Sequence, residues 1–72
     1  EDPDVLEEVY YRKGQVLASI GRSQEAIANF SKALGLARPG DKREIYQAMS
    51  SCYDNLGMED KAREYSRKAL RR

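Results

Sequence analysis

The chain's one strong nucleophile is a cysteine, and it occurs once, at Cys52. A thiol attacks as its thiolate, usually with a histidine beside it to take the proton. No histidine is present among the 72 residues, which also removes the commonest metal ligand and the usual proton carrier near neutral pH. Cys52 stands beside Tyr53 on an apolar stripe, so it reads as a buried structural thiol; being alone, it can form no internal disulfide. The adjacent acids Glu7/Glu8 and Glu59/Asp60 are the right types for general acid–base work. That work needs a pocket to bury one carboxyl and shift its pKa, and without one these pairs read as charged surface. Met49 and Met58 read as core and turn contacts rather than metal ligands, and Tyr10, Tyr46, Tyr53 and Tyr65 as packing residues. Neither a glycine-rich phosphate loop nor a cysteine pair at zinc spacing occurs. No catalytic residue, metal site or cofactor is expected.

The remaining chemistry lies in charge. Thirteen basic residues face twelve acidic ones, for a net charge of +1, so the whole molecule is no evident polyanion binder. Five acids fall within the first eight residues, and the chain closes Arg67-Lys68-Ala69-Leu70-Arg71-Arg72. Acids at a first helical turn and bases at a last one complement the helix dipole, which explains both ends without a ligand. The alternative is anion binding by Lys61, Arg63, Arg67, Lys68, Arg71 and Arg72, with Glu59, Asp60 and Glu64 in opposition. These cations are spread around a helix, and Tyr65 is the one aromatic nearby for base stacking. Nucleic acid is therefore not the expected partner.

Four helices must position these groups. Asp2-Pro3 supplies an N-cap followed by a proline suited to the first helical position. Val5/Leu6, Val9/Tyr10, Val16/Leu17 and Ile20 then recur at spacings of three and four. Gly21 closes this helix and Ser23 offers the next N-cap. A second stripe, Ala26/Ile27, Phe30, Ala33/Leu34 and Ala37, ends at Arg38-Pro39-Gly40. Asp41 and Glu44 have the spacing of a capping box, opening a third stripe through Ile45/Tyr46, Met49, Cys52/Tyr53 and Leu56 to Gly57. Ala62, Tyr65 and Ala69/Leu70 make a fourth helix running to the chain end. Strand alternation is missing and β-branched residues are sparse. The expected class is all-α, and loops of about three to five residues favour antiparallel neighbours, hence two helical hairpins in series. No apolar run reaches the length of a membrane-spanning helix.

Sliding the sequence by 36 residues superimposes Glu8 on Glu44, Tyr10 on Tyr46, Gly21 on Gly57 and Ala26 on Ala62. Lys32, Ala33 and Leu34 fall on Lys68, Ala69 and Leu70, while Leu17 meets Tyr53 and Ile20 meets Leu56. Matches concentrated on the apolar stripes and turn glycines mean that each hairpin is one structural unit. With Tyr10, Gly14, Leu17, Gly21, Ala26, Phe30, Ala33 and Pro39 in the first unit, the chain resembles the tetratricopeptide repeat family. The second unit carries Tyr46, Tyr53, Gly57, Ala62 and Ala69 of the same pattern. Departures are Lys13 where leucine is frequent, Ser50 at the small glycine, Ser66 at the aromatic of Phe30, Arg63 at Ile27, and a late Pro39. Two alternatives stand beside it: a generic four-helix bundle, and the pentatricopeptide relatives, which read RNA bases with polar side chains on successive repeats. Two units would touch only about two bases, and the alanine–leucine endings favour the tetratricopeptide version.

The resemblance implies one domain over residues 1–72, with repeats at about 4–38 and 41–72, stacked as a short right-handed α-solenoid. It also implies a non-catalytic protein-interaction module whose first helices line a groove for a partner peptide or helix. The candidate groove residues are Glu8, Tyr11, Arg12, Gln15 and Ser19, then Glu44, Gln47, Ser51, Asp54 and Asn55. Three acids, one base and one large aromatic suit a peptide with basic or amide groups around an apolar anchor. Relatives that clamp a chaperone's C-terminal carboxylate use lysine and asparagine where Tyr11 and Gln15 stand, so that mode is not expected. About three hairpins are usually needed for stability. Two imply a piece of a longer array, an engineered minimal pair, or self-association through the open edge, with the polar fourth helix as a possible cap. An intracellular, cytoplasmic setting is the expectation, although a chain beginning Glu1-Asp2 is able to have lost a leader.

Overall fold

The computed structural model describes residues 2–70. Four α-helices follow in order: α1 (Pro3–Ser19), α2 (Ser23–Leu36), α3 (Lys42–Asn55) and α4 (Glu59–Leu70). A short 3-10 turn, Pro39–Asp41, precedes α3. No strand is present among the described residues. Helices α1 and α2 form one antiparallel hairpin and α3 and α4 the other, and α2 packs on α3 to stack the two as a short α-solenoid.

Local chemistry explains the helix ends. The Asp2 carboxylate accepts from the Asp4 backbone N–H at 2.9 Å, with Pro3 at the first helical position. At the end of α1 the Arg22 N–H donates to the Leu17 carbonyl and the Gly21 N–H to that of Ala18. The same pair of bonds recurs 36 residues on, from Met58 to Tyr53 and from Gly57 to Asp54. This double closure requires a left-handed residue, and Gly21 (φ 84°) and Gly57 (φ 75°) supply it.

Two expected caps do not form. Arg22 caps α2, since its carbonyl accepts the first helical bond from Ala26; Ser23 lies inside the helix, buried, and its hydroxyl accepts no cap bond. Likewise Asp41 makes no side-chain cap bond and Asp41/Glu44 form no capping box. The reason is backbone geometry: the 3-10 turn leaves Asp41 at φ −93°, ψ −15°, not in the extended conformation that swings a cap side chain over the helix end. Arg38 is extended, as its following proline demands.

The core belongs to the two middle helices. Ala26, Phe30 and Ala33 of α2 interlock with Ile45, Met49 and Cys52 of α3, all buried. Leu17, Tyr10, Tyr11, Tyr53 and Tyr65 flank them. Phe30 fits because Gly14 has no side chain beneath its ring. At the matching place in the second hairpin, Ser50 donates to the Ala62 carbonyl at 2.7 Å and lies 3.4 Å from Ser66. The second hairpin thus exchanges a glycine–aromatic contact for a hydroxyl bond, and its bulk moves to Tyr65, stacked on Tyr53 at 5.2 Å. Lys32 over Tyr10 at 5.4 Å is repeated by Lys68 over Tyr46 at 6.0 Å.

The end helices are less covered than their apolar stripes suggest. Val5, Val9, Val16 and Ile20 of α1 are exposed, as is Leu70 of α4. Helix α1 packs chiefly on α2, and α4 on α3 alone, which leaves the far face of each uncovered among the described residues.

Candidate functional site

Helices α1 and α3 run side by side, and their N-terminal halves enclose an open cleft of about 620 Å³. Tyr11 and Ile45 form its apolar part; Glu7, Glu8, Arg12, Gln15, Asp41 and Glu44 surround them, with Asp4 and Val5 at one end. Helical spacing brings Asp4, Glu7/Glu8, Tyr11 and Gln15 onto one face of α1. Tyr11 is held by the core, its ring centroid 5.6 Å from that of Phe30. Burial, with the Glu44 charge nearby, pushes its phenol pKa up.

Acids dominate the cleft. Asp4 is ion-paired with Arg38, and Arg12 lies 3.7 Å from Glu8. Glu7 is the exception to the reading of Glu7/Glu8 as plain charged surface. It is half-buried, and its Oε1 is shielded without a hydrogen-bond partner. Desolvation pushes its pKa up, and the Asp41 carboxyl beside it adds to the rise. Acids thus outnumber bases around the cleft, with Arg38 and Arg12 the cations beside them.

Of the ten candidate groove residues, Glu8, Tyr11, Arg12, Gln15 and Glu44 come together here. Ser51 and Asp54 line a separate depression with Ser50, Glu59, Ala62, Arg63 and Ser66, between α3 and α4. The Ser19 hydroxyl donates to the Val16 carbonyl at 2.7 Å. Gln47 and Asn55 are exposed on α3 outside both hollows. The cleft adds Glu7 and Asp41, which a sequence reading passes over. Glu7 had a signal, lying four residues before Tyr11 on one helical face; Asp41 was disguised by its capping-box spacing.

Elsewhere, Cys52 is buried, and desolvation pushes its thiol pKa up, away from a reactive thiolate. On α4, Arg63 pairs with Asp60 at 3.6 Å and Lys68 with Glu64 at 3.4 Å. Lys68 also sits 4.5 Å from the Tyr65 ring centroid. These cations are engaged within the helix; Arg71 and Arg72 lie outside the described residues. No helix among the described residues is long and apolar enough to cross a membrane.

Two hairpins that repeat the same glycine closures, cation–π contacts and small-residue packing define a helical-repeat protein. The pattern of the tetratricopeptide repeat family matches residues 5–72, and the chain belongs to that family. Comparison with curated proteins and with solved structures gave no match. Repeats of this family generally mediate protein–protein interaction and are typically non-catalytic scaffolds.

Proposed function

We propose that this chain, acting as one two-repeat unit, binds a protein partner through the cleft between α1 and α3. The ligand would be a peptide or helix presenting a lysine or arginine beside an apolar side chain. The carrying observation is Tyr11, anchored against Phe30 and bordered by Glu7, Glu8 and Glu44. An apolar side chain would lie on Tyr11 and Ile45, while the cation meets the acids Glu7, Glu8 and Glu44 around them. Charge of this kind speeds encounter and selects the partner more than it adds affinity.

A panel of short peptides, cationic, anionic or neutral around one leucine or phenylalanine, tests this by fluorescence anisotropy. Saturable binding of the cationic members is expected, weakening with salt. Changing Tyr11 to Ala should cost about tenfold or more, on the order of 1.4 kcal/mol. Changing Glu44 to Gln should weaken cationic peptides and spare neutral ones. Binding that ignores peptide charge, or survives both changes, would sink the proposal.

A further inference from the structure

Three cations from two helices line a hollow that has no acid in its wall. Lys42 and Arg43 of α3 and Lys68 of α4 surround an open space of about 250 Å³ together with Pro39 and Tyr46. The cleft and the depression between α3 and α4 each include at least two acids, and so do two further hollows along α4. The acids adjoining Lys42 and Arg43 in sequence, Asp41 and Glu44, line the cleft instead. Among the described residues neither Lys42 nor Arg43 has a carboxylate within ion-pair distance.

Lys68 is the fixed member of the three. It pairs with Glu64 at 3.4 Å, and its ammonium lies 4.5 Å from the Tyr65 ring centroid and 6.0 Å from that of Tyr46. An ammonium has three N–H donors, so one carboxylate does not exhaust it. Lys42 and Arg43 precede Tyr46 by four and three residues, which puts them on the same helical face as that ring.

The internal repeat supplies the comparison. Thirty-six residues earlier, Pro39, Tyr46 and Lys68 become Pro3, Tyr10 and Lys32, and the lysine–tyrosine contact recurs at 5.4 Å. That much is the scaffold of a hairpin. Lys42 and Arg43, by contrast, stand where the first unit has Leu6 and Glu7. The fold accepts a leucine and an acid at these places, so packing accounts for neither cation. The helix dipole does not account for them either, because Lys42 and Arg43 open α3 and bases are disfavoured in a first turn.

We infer that this hollow binds a phosphorylated side chain of a protein partner. The phosphate is taken by Lys42, Arg43 and Lys68, and the stem of the side chain lies against Pro39 and the Tyr46 ring. A phosphate ester has a charge near −2 and three strong acceptor oxygens, matched to three cations in one place. Arginine takes two such oxygens at once with its planar fork. A carboxylate offers about half the charge and fewer oxygens, so it is the poorer ligand. Nucleic acid asks for a groove of cations tracking its backbone, whereas these converge on one hollow and Arg63 of α4 is already paired with Asp60. Free phosphate would leave the apolar wall of Pro39 and Tyr46 uncovered.

The probe is the blocked peptide Gly-Ala-Ser-Ala-Gly with its serine phosphorylated, titrated to about 20 mM while the protein's amide shifts are followed by NMR. Saturable shifts are expected at Lys42, Arg43, Tyr46 and Lys68, with a dissociation constant of roughly 1 mM. The same peptide with unmodified serine, or with glutamate in its place, should bind about tenfold more weakly or worse. Lys42→Leu combined with Arg43→Glu installs the first unit's own residues, so the circular dichroism should stay helical while phosphopeptide affinity falls about tenfold or more. Lys68→Gln, on the other helix, should also weaken it, and Lys68→Arg should restore it. Shifts that never saturate, or that survive both Lys42→Leu/Arg43→Glu and Lys68→Gln, would overturn the proposal. So would equal affinity for the glutamate peptide or for inorganic phosphate. Tighter binding of a short oligothymidylate, or of phosphatidylcholine vesicles containing phosphatidylserine, at the same residues would overturn it in favour of those ligands. The cleft is lined by none of these residues, so no outcome here bears on peptide binding there.

Discussion

Gly14 lies directly beneath Phe30: a β-carbon on Gly14 would stand 2.6 Å from Cε1 of the ring and 2.8 Å from Cδ1. Glycine is normally a poor helix residue, by about 1 kcal/mol relative to alanine. Here the aromatic ring occupies the space that an alanine would need, and the whole hairpin is set to that approach.

Gly14→Ala should therefore destabilise the chain despite its better helix propensity, by about 1–3 kcal/mol from overpacking. Phe30→Ala, which empties the site, should cost about 3–5 kcal/mol. Urea denaturation of both singles and the double variant checks the contact. The double should cost less than the two singles combined, because the added methyl enters space the ring has left. Strict additivity would show that the two positions do not touch in the folded chain.

Gly21 and Gly57 are constrained differently. Nothing lies within 4 Å of a β-carbon at either position, yet both have positive φ. Alanine at either should cost about 1–2 kcal/mol from backbone conformation alone, and asparagine, which tolerates that region, distinctly less. Thermal melts of the alanine and asparagine variants at both sites measure it. Equal losses at the two sites are expected, since their hydrogen-bond closures are the same.

Glu7 gives a pH signature. Its folded pKa lies above the ordinary glutamate value through desolvation and the Asp41 carboxyl. The folded state thus holds the proton more tightly than the unfolded state does. Stability from this group consequently falls as pH rises from the ordinary value through the raised one. Glu7→Gln should raise the melting temperature near pH ~8 and change it little near pH ~4, where wild-type Glu7 is protonated. Melting curves at the two pH values decide; a gain of equal size at both would contradict the assignment.

Cys52 reports on opening of the core. It is 1% exposed, and burial pushes its thiol pKa up. Labelling by an aromatic disulfide reagent should be slow in the native chain and accelerate in step with destabilisation by Phe30→Ala. Cys52→Ser should cost about 1–3 kcal/mol, the penalty of burying a hydroxyl without a partner. Rapid labelling of the stable native protein would place the thiol outside the core.

The helices, their breaks and the 36-residue period were legible because they rest on short-range chemistry. Apolar spacing, the Asp2 cap, the Pro39 break and two left-handed glycines each act within a turn or two of chain. Ser23 and the Asp41/Glu44 pair misled for the complementary reason. Both have cap chemistry, but the conformation entering each helix, set by the preceding closure or 3-10 turn, does not aim their side chains at the helix amides.

Burial was a different matter. Val9 and Ile45 hold equivalent places in the repeat, and so do Val16 and Cys52, yet the α1 members are exposed and the α3 members buried. No local pattern distinguishes them, because burial depends on which helix lies across the face, and α2 lies across α3. The same holds for Glu7 and Asp41, 34 residues apart in sequence, which become neighbours only when α3 docks beside α1. The amino-acid sequence by itself determined the class of fold, the repeat and the family, through periodicity and backbone preference. Tertiary structure alone decided which acids share the cleft and which valines face solvent, because desolvation and proximity arise only between packed helices.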